Sequence, residues 1–393
     1  MNAHDTVNAH DTMNAHDTMN AHDTMNAHDT MSAHGARIAV VLGTRPELIK
    51  LAPVIHRLGK RALVVHTGQH FDDNMSRTFL QQLRLGEPHL HLAVGGTTRG
   101  AQIGRATEAI ERFLIDEGPA AVVVQGDTNA GLAGALAANA TGTPIAHLEA
   151  GLRSYDRAMP EEHNRVLIDA LADLCLAPHA SNAEALLREG ITADRIRVTG
   201  STLSDALAMI LPSPAERDEL LRQYDVRTAG FILATIHRAE NADHAGNLGA
   251  ILHELAELPL PVVLPLHPRT RHHAAEFGFQ PLLDALRVVE PTGYREFVTL
   301  AGAAALIVSD SGGVQEEATI VKRPVVVVRN STERPEILGT FAHLVSPGPQ
   351  IGEIARPLLR RIAQVHAELA ALPYPYGDDA TTAVVAAIDE LVG

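Results

Sequence analysis

From residue 37 onward the chain is a succession of short apolar runs, each closed by polar residues and followed by a helix-length amphipathic stretch. Short β-branched runs bounded by turn residues read as buried strands, and their alternation with helical patterns predicts an α/β fold with parallel sheets and crossover helices. In the first half, strands are predicted at residues 37–42, 62–66, 121–124, 144–146, 174–177 and 195–198. Helices are predicted at 99–117 and 129–140, the second so rich in Ala and Gly that it should pack closely on the sheet. The second half repeats the pattern, with strands at 231–235, 262–266, 287–290, 306–309 and 324–328. The T-G-S-T segment at 199–202 is a candidate hinge between a domain of residues 37–200 and one of residues 201–375. Polar, chemically useful residues follow one strand after another, which places them on the rim where open α/β sheets bind ligands.

Composition narrows the function. A chain of 393 residues is comfortable for two domains, and 46% hydrophobic with 20% charged residues describes a globular protein. A formal charge of −15 argues against a nucleic-acid partner, which would need a basic face. No apolar stretch approaches the roughly 20 residues that span a bilayer. The single cysteine, Cys175, excludes an internal disulfide and lies in an apolar run as a small core residue would. Residues 1–36 stand apart: M-N-A-H-D-T recurs through Thr30 with one Met to Val change, followed by a degraded copy. This tract has no apolar periodicity and is expected to be disordered. It lacks the basic start and apolar centre of an export signal, so a cytoplasmic protein is expected. Its histidines, from His4 to His34, recur every six residues, a spacing that does not match metal-ligand sets.

Three acids open the candidate chemistry. Asp127 and Glu149 follow neighbouring predicted strands, and Glu161 follows Pro160 at a helix start, where the dipole favours a carboxylate. Converging on one crevice, they would suit acid and base work, although each alone also reads as a cap or surface charge. Gly43-Thr44-Arg45-Pro46-Glu47 turns the first strand into a helix, with Lys50 one turn on; this is an anion site or an ordinary turn with solvated cations. The D-S-G-G-V-Q-E-E run offers a second phosphate cradle at Ser311, Gly312 and Gly313, with Glu317 one turn in and able to accept from a ribose diol. The alternative there is a tight turn before a packed helix. His237 ends another strand, either as a structural histidine or facing a phosphate or carboxylate. No dinucleotide fingerprint, P-loop or zinc set occurs, so no cofactor or metal is expected.

Taken together and in order, G-T-R-P-E-L-I-K-L-A-P, T-G-Q-H, G-D-T, H-L-E-A-G-L-R, P-E-E-H-N-R, H-R-A-E-N, D-S-G-G-V-Q-E-E and T-E-R-P-E resemble the non-hydrolysing UDP-N-acetylglucosamine 2-epimerases. The resemblance spans about residues 38–336. It implies two Rossmann-like doubly wound domains of the glycosyltransferase-B type, the active site in the cleft between them, and a C-terminal helix, here within residues 376–393, crossing back to the first domain. It further implies a UDP-sugar as ligand, a homodimer, and inversion at C2 of UDP-GlcNAc by elimination and re-addition of UDP through 2-acetamidoglucal. Carried over by motif, Asp127, Glu149, Glu161 and His237 match catalytic residues. Arg45, Lys50, Arg165, Ser311, Gly312 and Gly313 match groups that hold the substrate, Glu317 the ribose hydroxyls and Phe297 the uracil pocket. After T-G-Q-H this chain reads F-D-D-N-M, and Met159 stands before Pro160 where well-known bacterial members have an aromatic. Both departures resemble a subgroup that includes enzymes of oxidised, doubly N-acetylated sugars. A hydrolysing epimerase releasing UDP and ManNAc, a glycosyltransferase-B enzyme and a silent nucleotide-sugar binder are the competing readings.

Overall fold

The computed structural model describes residues 35–69, 80 and 83–393, so the repeat tail, His70 of T-G-Q-H and the F-D-D-N-M segment lie outside the described residues. Seven parallel strands form the first sheet: β1 Ile38–Leu42, β2 Ala62–His66, β3 Leu90–His91, β4 Ala121–Gln125, β5 Ile145–Leu148, β6 Leu174–Ala177 and β7 Ile196–Val198, in the order β3-β2-β1-β4-β5-β6-β7. Six more form the second: β8 Ile232–Thr235, β9 Val262–Pro265, β10 Arg287–Val289, β11 Leu306–Ser309, β12 Val325–Val328 and β13 Ala342–Val345, in the order β10-β9-β8-β11-β12-β13. The fold is α/β with two Rossmann-like, doubly wound sheets. Each order reverses between its first and fourth strand, at β1/β4 and at β8/β11, and the crevice outside those carboxyl ends is where such sheets bind ligands.

The β-branched runs that read as strands are buried on both faces, as β1 Ile-Ala-Val-Val-Leu and β12 Val-Val-Val-Val are throughout. The Asn129–Thr141 helix packs against β1 and β4 so closely that a Cβ on Gly134 would sit 3.0 Å from Val124 Cγ1 and 3.1 Å from Val41 Cβ. Two edge strands, β3 and β13, were not expected. β3 is two residues long, Leu-His, and β13 is Ala-His-Leu-Val with a half-buried centre, so neither carries a continuous apolar run.

Two crossings join the lobes. The candidate hinge passes beside the returning chain, where Ser201 N donates to Tyr376 O at 3.1 Å. The Ala380–Val392 helix then packs on the Arg45–Leu58 helix, with Val384 and Ile388 in the first lobe's core and Asp389 2.7 Å from Arg61. Among the described residues, no helix is long and apolar enough to cross a membrane.

Candidate active site

Each acid of the first lobe stands where local structure puts it. Asp127 lies two residues beyond β4, its carboxylate held by Arg165 through Nε at 2.9 Å and Nη2 at 2.6 Å. Burial raises the Asp127 pKa, the Arg165 charge pulls against it, the negative fields of Glu333 and Glu161 add to the rise, and the net shift is upward. Glu149 immediately follows β5 with φ at +63°, a left-handed conformation that costs a non-glycine residue about 1–3 kcal/mol and persists only when its surroundings hold it. Its carboxylate accepts from Lys50 Nζ at 2.5 Å, from Arg334 Nη2 at 3.1 Å and from the Gln125 amide. Glu161 sits in the first turn of the Pro160–Leu171 helix and is exposed. Its neighbour Glu162 turns inward, accepting from Ser154 N at 3.0 Å, Tyr155 N at 3.0 Å and Arg165 Nη1 at 2.5 Å, and ties down the preceding loop.

The Arg45–Leu58 helix begins with a capping box of Thr44 and Glu47: the Glu47 carboxylate accepts from Thr44 N at 2.8 Å and Gly43 N at 3.0 Å. Thr128 Oγ1 also donates to Glu47 at 2.6 Å, joining this turn to the Asp127 loop. Arg45 projects outward, close enough to the second lobe for its charge to add to the burial, His237 and Arg269 that depress His267.

In the second lobe Asp310 ends β11 fully buried and organises the switch point. It accepts from His237 N at 3.0 Å, Arg238 N at 2.9 Å and Asn241 Nδ2 at 3.1 Å, and lies 3.2 Å from His237 Nδ1. Burial works to raise its pKa, but His237, the Arg238 amide and Asn241 outweigh burial and hold the carboxyl below its usual range. The His237 ring, 39% exposed, faces His267 with centroids 5.5 Å apart. Ser311 occupies the N-cap position of the Gly312–Ile320 helix without a capping bond from its side chain, and Gly313 is exposed at the helix's positive end. Gly312 is covered by Glu333: a Cβ there would lie 2.2 Å from Glu333 Oε1. Burial opposes ionisation of Glu333, but Arg329 at 2.8 Å and the Arg165 charge bring its pKa down to about 2. Glu317 is buried beside Tyr294, with Oε2 lacking a hydrogen-bond partner, and burial pushes its pKa up to about 7. Phe297, one turn beyond Tyr294, is half-buried between the cores of the two lobes.

The lobes meet through a buried ionic network. Glu316, fully buried, accepts from Lys50 at 3.2 Å, Arg334 at 2.5 Å, Tyr374 at 3.1 Å and Ser201 of the hinge segment. Burial would raise it, yet Arg334 and Lys50 hold its pKa at about 2. Lys50 and Arg165, expected to hold substrate, are here buried and paired with carboxylates: Lys50 with Glu149 and Glu316, Arg165 with Asp127 and Glu162. Arg334 bonds Glu149 across the gap, so Glu149 faces the interlobe cleft. The sequence motifs contained Asp310, Glu316, Glu333 and Arg334, and His267 lies outside them; no local signal distinguishes Glu316 from the adjacent Glu317, and only the position of Lys50 in the other lobe does.

Two doubly wound lobes thus place acids on one rim of a cleft, facing a helix start and a histidine on the other. The family profile described as UDP-N-acetylglucosamine 2-epimerase matches residues 56–389. The chain belongs to the UDP-N-acetylglucosamine 2-epimerase family. A member from Methanococcus maripaludis, a UDP-N-acetylglucosamine 2-epimerase, is 41% identical over 321 residues, covering 79% of this chain and 87% of that protein. A second member, the UDP-2,3-diacetamido-2,3-dideoxy-D-glucuronate 2-epimerase of Pseudomonas aeruginosa, is 39% identical over 344 residues, 85% of this chain and 95% of its own length. The Methanocaldococcus jannaschii UDP-GlcNAc 2-epimerase, solved in complex with UDP-GlcNAc and UDP, aligns with a TM-score of 0.76 at 37% identity, over 88% of this chain and 97% of that one. For this epimerase-family chain, the resemblance drawn from the motifs therefore holds at the level of family and fold.

Proposed function

We propose that this protein is a non-hydrolysing isomerase that interconverts UDP-GlcNAc and UDP-ManNAc. The C2 hydrogen of the sugar has no adjacent carbonyl to acidify it, so direct proton exchange is too slow. Elimination solves this: a carboxylate takes the C2 proton, the C1–O bond breaks, and UDP leaves with the bonding pair to give 2-acetamidoglucal. Protonation at C2 from the other face and return of UDP to C1 complete the inversion with no net consumption, and the chemistry needs only side chains and the UDP leaving group.

The observation that supports this reading is the division of charge across the cleft. Asp127, Glu149 and Glu161 supply acid and base on one side, with Asp127 shifted upward toward the range useful for proton exchange. On the other, His237 and the Ser311–Gly313 helix start, with Arg45, offer stabilisation to a departing diphosphate. Glu317 and Phe297 are assigned to the ribose and uracil. A second reading, the same chemistry on a UDP-linked diacetamido uronate, is favoured by the comparable identity to the Pseudomonas aeruginosa relative, and comparing kcat/KM for the two sugars separates them. Family membership also supports a cytoplasmic homodimer.

The test is incubation with UDP-GlcNAc alone in deuterated water, followed by NMR. Deuterium at C2 in a mixture that keeps its UDP linkage is the expected result. Free UDP and free ManNAc accumulating with each turnover would replace the proposal with the hydrolysing reaction, and turnover only with an added acceptor would replace it with glycosyl transfer.

A further inference from the structure

One face of the Pro160–Leu171 helix carries Glu161, bonds Asp127 and reaches the backbone two residues beyond Glu149. Residues 161, 164, 165, 168 and 169 follow the three-and-four spacing of a single stripe. Glu161 occupies the open end, and Asn164 Nδ2 donates to Asp127 O at 2.8 Å. Arg165 grips the Asp127 carboxylate, and Ile168 anchors the stripe in the core with no exposed surface. Asp169, at the far end, is buried beneath the loops that follow β4 and β5, contacting the second directly and the first through His147. Its Oδ1 lies 2.7 Å from His147 Nδ1, while its Oδ2 accepts from Gly151 N at 3.1 Å and Arg153 Nη2 at 2.7 Å. His147 Nε2 lies 2.8 Å from Gly126 O. Gly126 immediately precedes Asp127, and Gly151 follows the strained Glu149 by two positions.

A carbonyl and an ionised carboxylate only accept hydrogen bonds, so this pattern assigns a proton to each nitrogen of the His147 ring. The other charges at this end are Arg153, bridged to Glu189 at 2.6 Å, and Arg195, whose Nη2 donates to Asp169 O at 3.4 Å. Three cationic groups, His147, Arg153 and Arg195, thus surround Asp169 and Glu189, and the His147 and Asp169 side chains are 0% and 2% exposed.

We propose that Asp169 and His147 are positioning residues for the reaction: together they form a strut that fixes the loops carrying Asp127 and Glu149 relative to each other and to Glu161. The inference rests on the epimerase reading above. None of these strut atoms touches the cleft, so the pair acts through the acids, whereas the second lobe grips the nucleotide.

Asp169→Asn keeps the side chain's shape but removes the charge that retains the second ring proton. It is expected to lower kcat about 10- to 100-fold, as a displacement of reacting groups by an ångström does, while KM for UDP-GlcNAc and the Kd for UDP stay within about twofold. In the wild type, the His147 ring, assigned by its absence from His147→Gln, should show two slowly exchanging N–H protons at neutral pH. An Asp169→Asn enzyme with unchanged kcat would overturn the proposal, as would a loss of kcat matched by an equal loss of UDP affinity. Should that variant fail to fold, the wild-type ring decides: a singly protonated His147 cannot bridge both loops. Wild-type turnover of UDP-GlcNAc is scored separately. Its absence sinks the epimerase reading, whereas an active wild type with an equally active Asp169→Asn sinks only the strut.

Discussion

With Asp127 as the proposed proton-transfer group, its pairing with Arg165 sets how readily the proton is exchanged, and replacing Arg165 by Met tests this. The guanidinium contacts Asp127 Oδ2 through two nitrogens, at 2.9 and 2.6 Å, which puts the charge centres about 4 Å apart. At an effective dielectric of about 20 that separation is worth about 4 kcal/mol. The Asp127 side chain is 30% exposed, so solvent screening leaves about 2 kcal/mol. The guanidinium favours the carboxylate form; without it, burial and the fields of Glu333 and Glu161 act unopposed and the Asp127 pKa rises further. The limb of the kcat/KM pH profile governed by Asp127 should therefore move to higher pH, the acid limb if Asp127 works ionised and the basic limb if it works protonated. Methionine preserves most of the buried volume, and Glu162 keeps its bonds to Ser154 and Tyr155, so the fold should survive. Thermal melting and UDP affinity verify this before the profile is read. A folded Arg165→Met enzyme whose pH profile overlays that of the wild type would refute the assignment of Asp127 as a proton-transfer group.

Two further outcomes follow from burial. Glu317 has a pKa raised from 4.5 to about 7 in the folded chain, so the folded state holds this proton more tightly than the unfolded one. Wild-type stability should fall as pH rises across that window, by about 3 kcal/mol for the full shift. Glu317→Gln lacks the titration and should gain by that amount relative to wild type between pH 4.5 and 7; parallel denaturation curves at the two ends would contradict it. Cys175 is fully buried and its thiol is pushed up to about 12, first by burial and then by the nearby Asp169. An aromatic disulfide reagent at mildly alkaline pH should label none of it in the native protein and all of it in denaturant, and stoichiometric native labelling would show that the core opens.

Local chemistry made the strands legible because a strand buried on both faces must be apolar and β-branched along its whole length. The run of β12 meets that demand in full and that of β1 comes close, whereas Leu90–His91 and Ala342–Val345 pair only at sheet edges and carry too little of it. The same reasoning found the site's outline, since a polar residue directly after a buried strand lands on the ligand-binding rim. His147 escaped it because it lies inside an apolar strand, where its partners Asp169 and Gly126 are distant in the chain.

By itself, then, the sequence determined the two α/β halves, their strand ends, the capped helix start at Thr44 and the motifs that identify the family. Only the tertiary structure decided which member of each acidic pair does what: Glu161 outward and Glu162 inward, Glu316 bound to Lys50 and Arg334 while Glu317 keeps an unpartnered oxygen. The physical reason is range. Periodicity and capping act over a few neighbouring residues, whereas Lys50 and Glu316 are 266 positions apart, and their attraction becomes strong only after the packing of both lobes has removed the water between them.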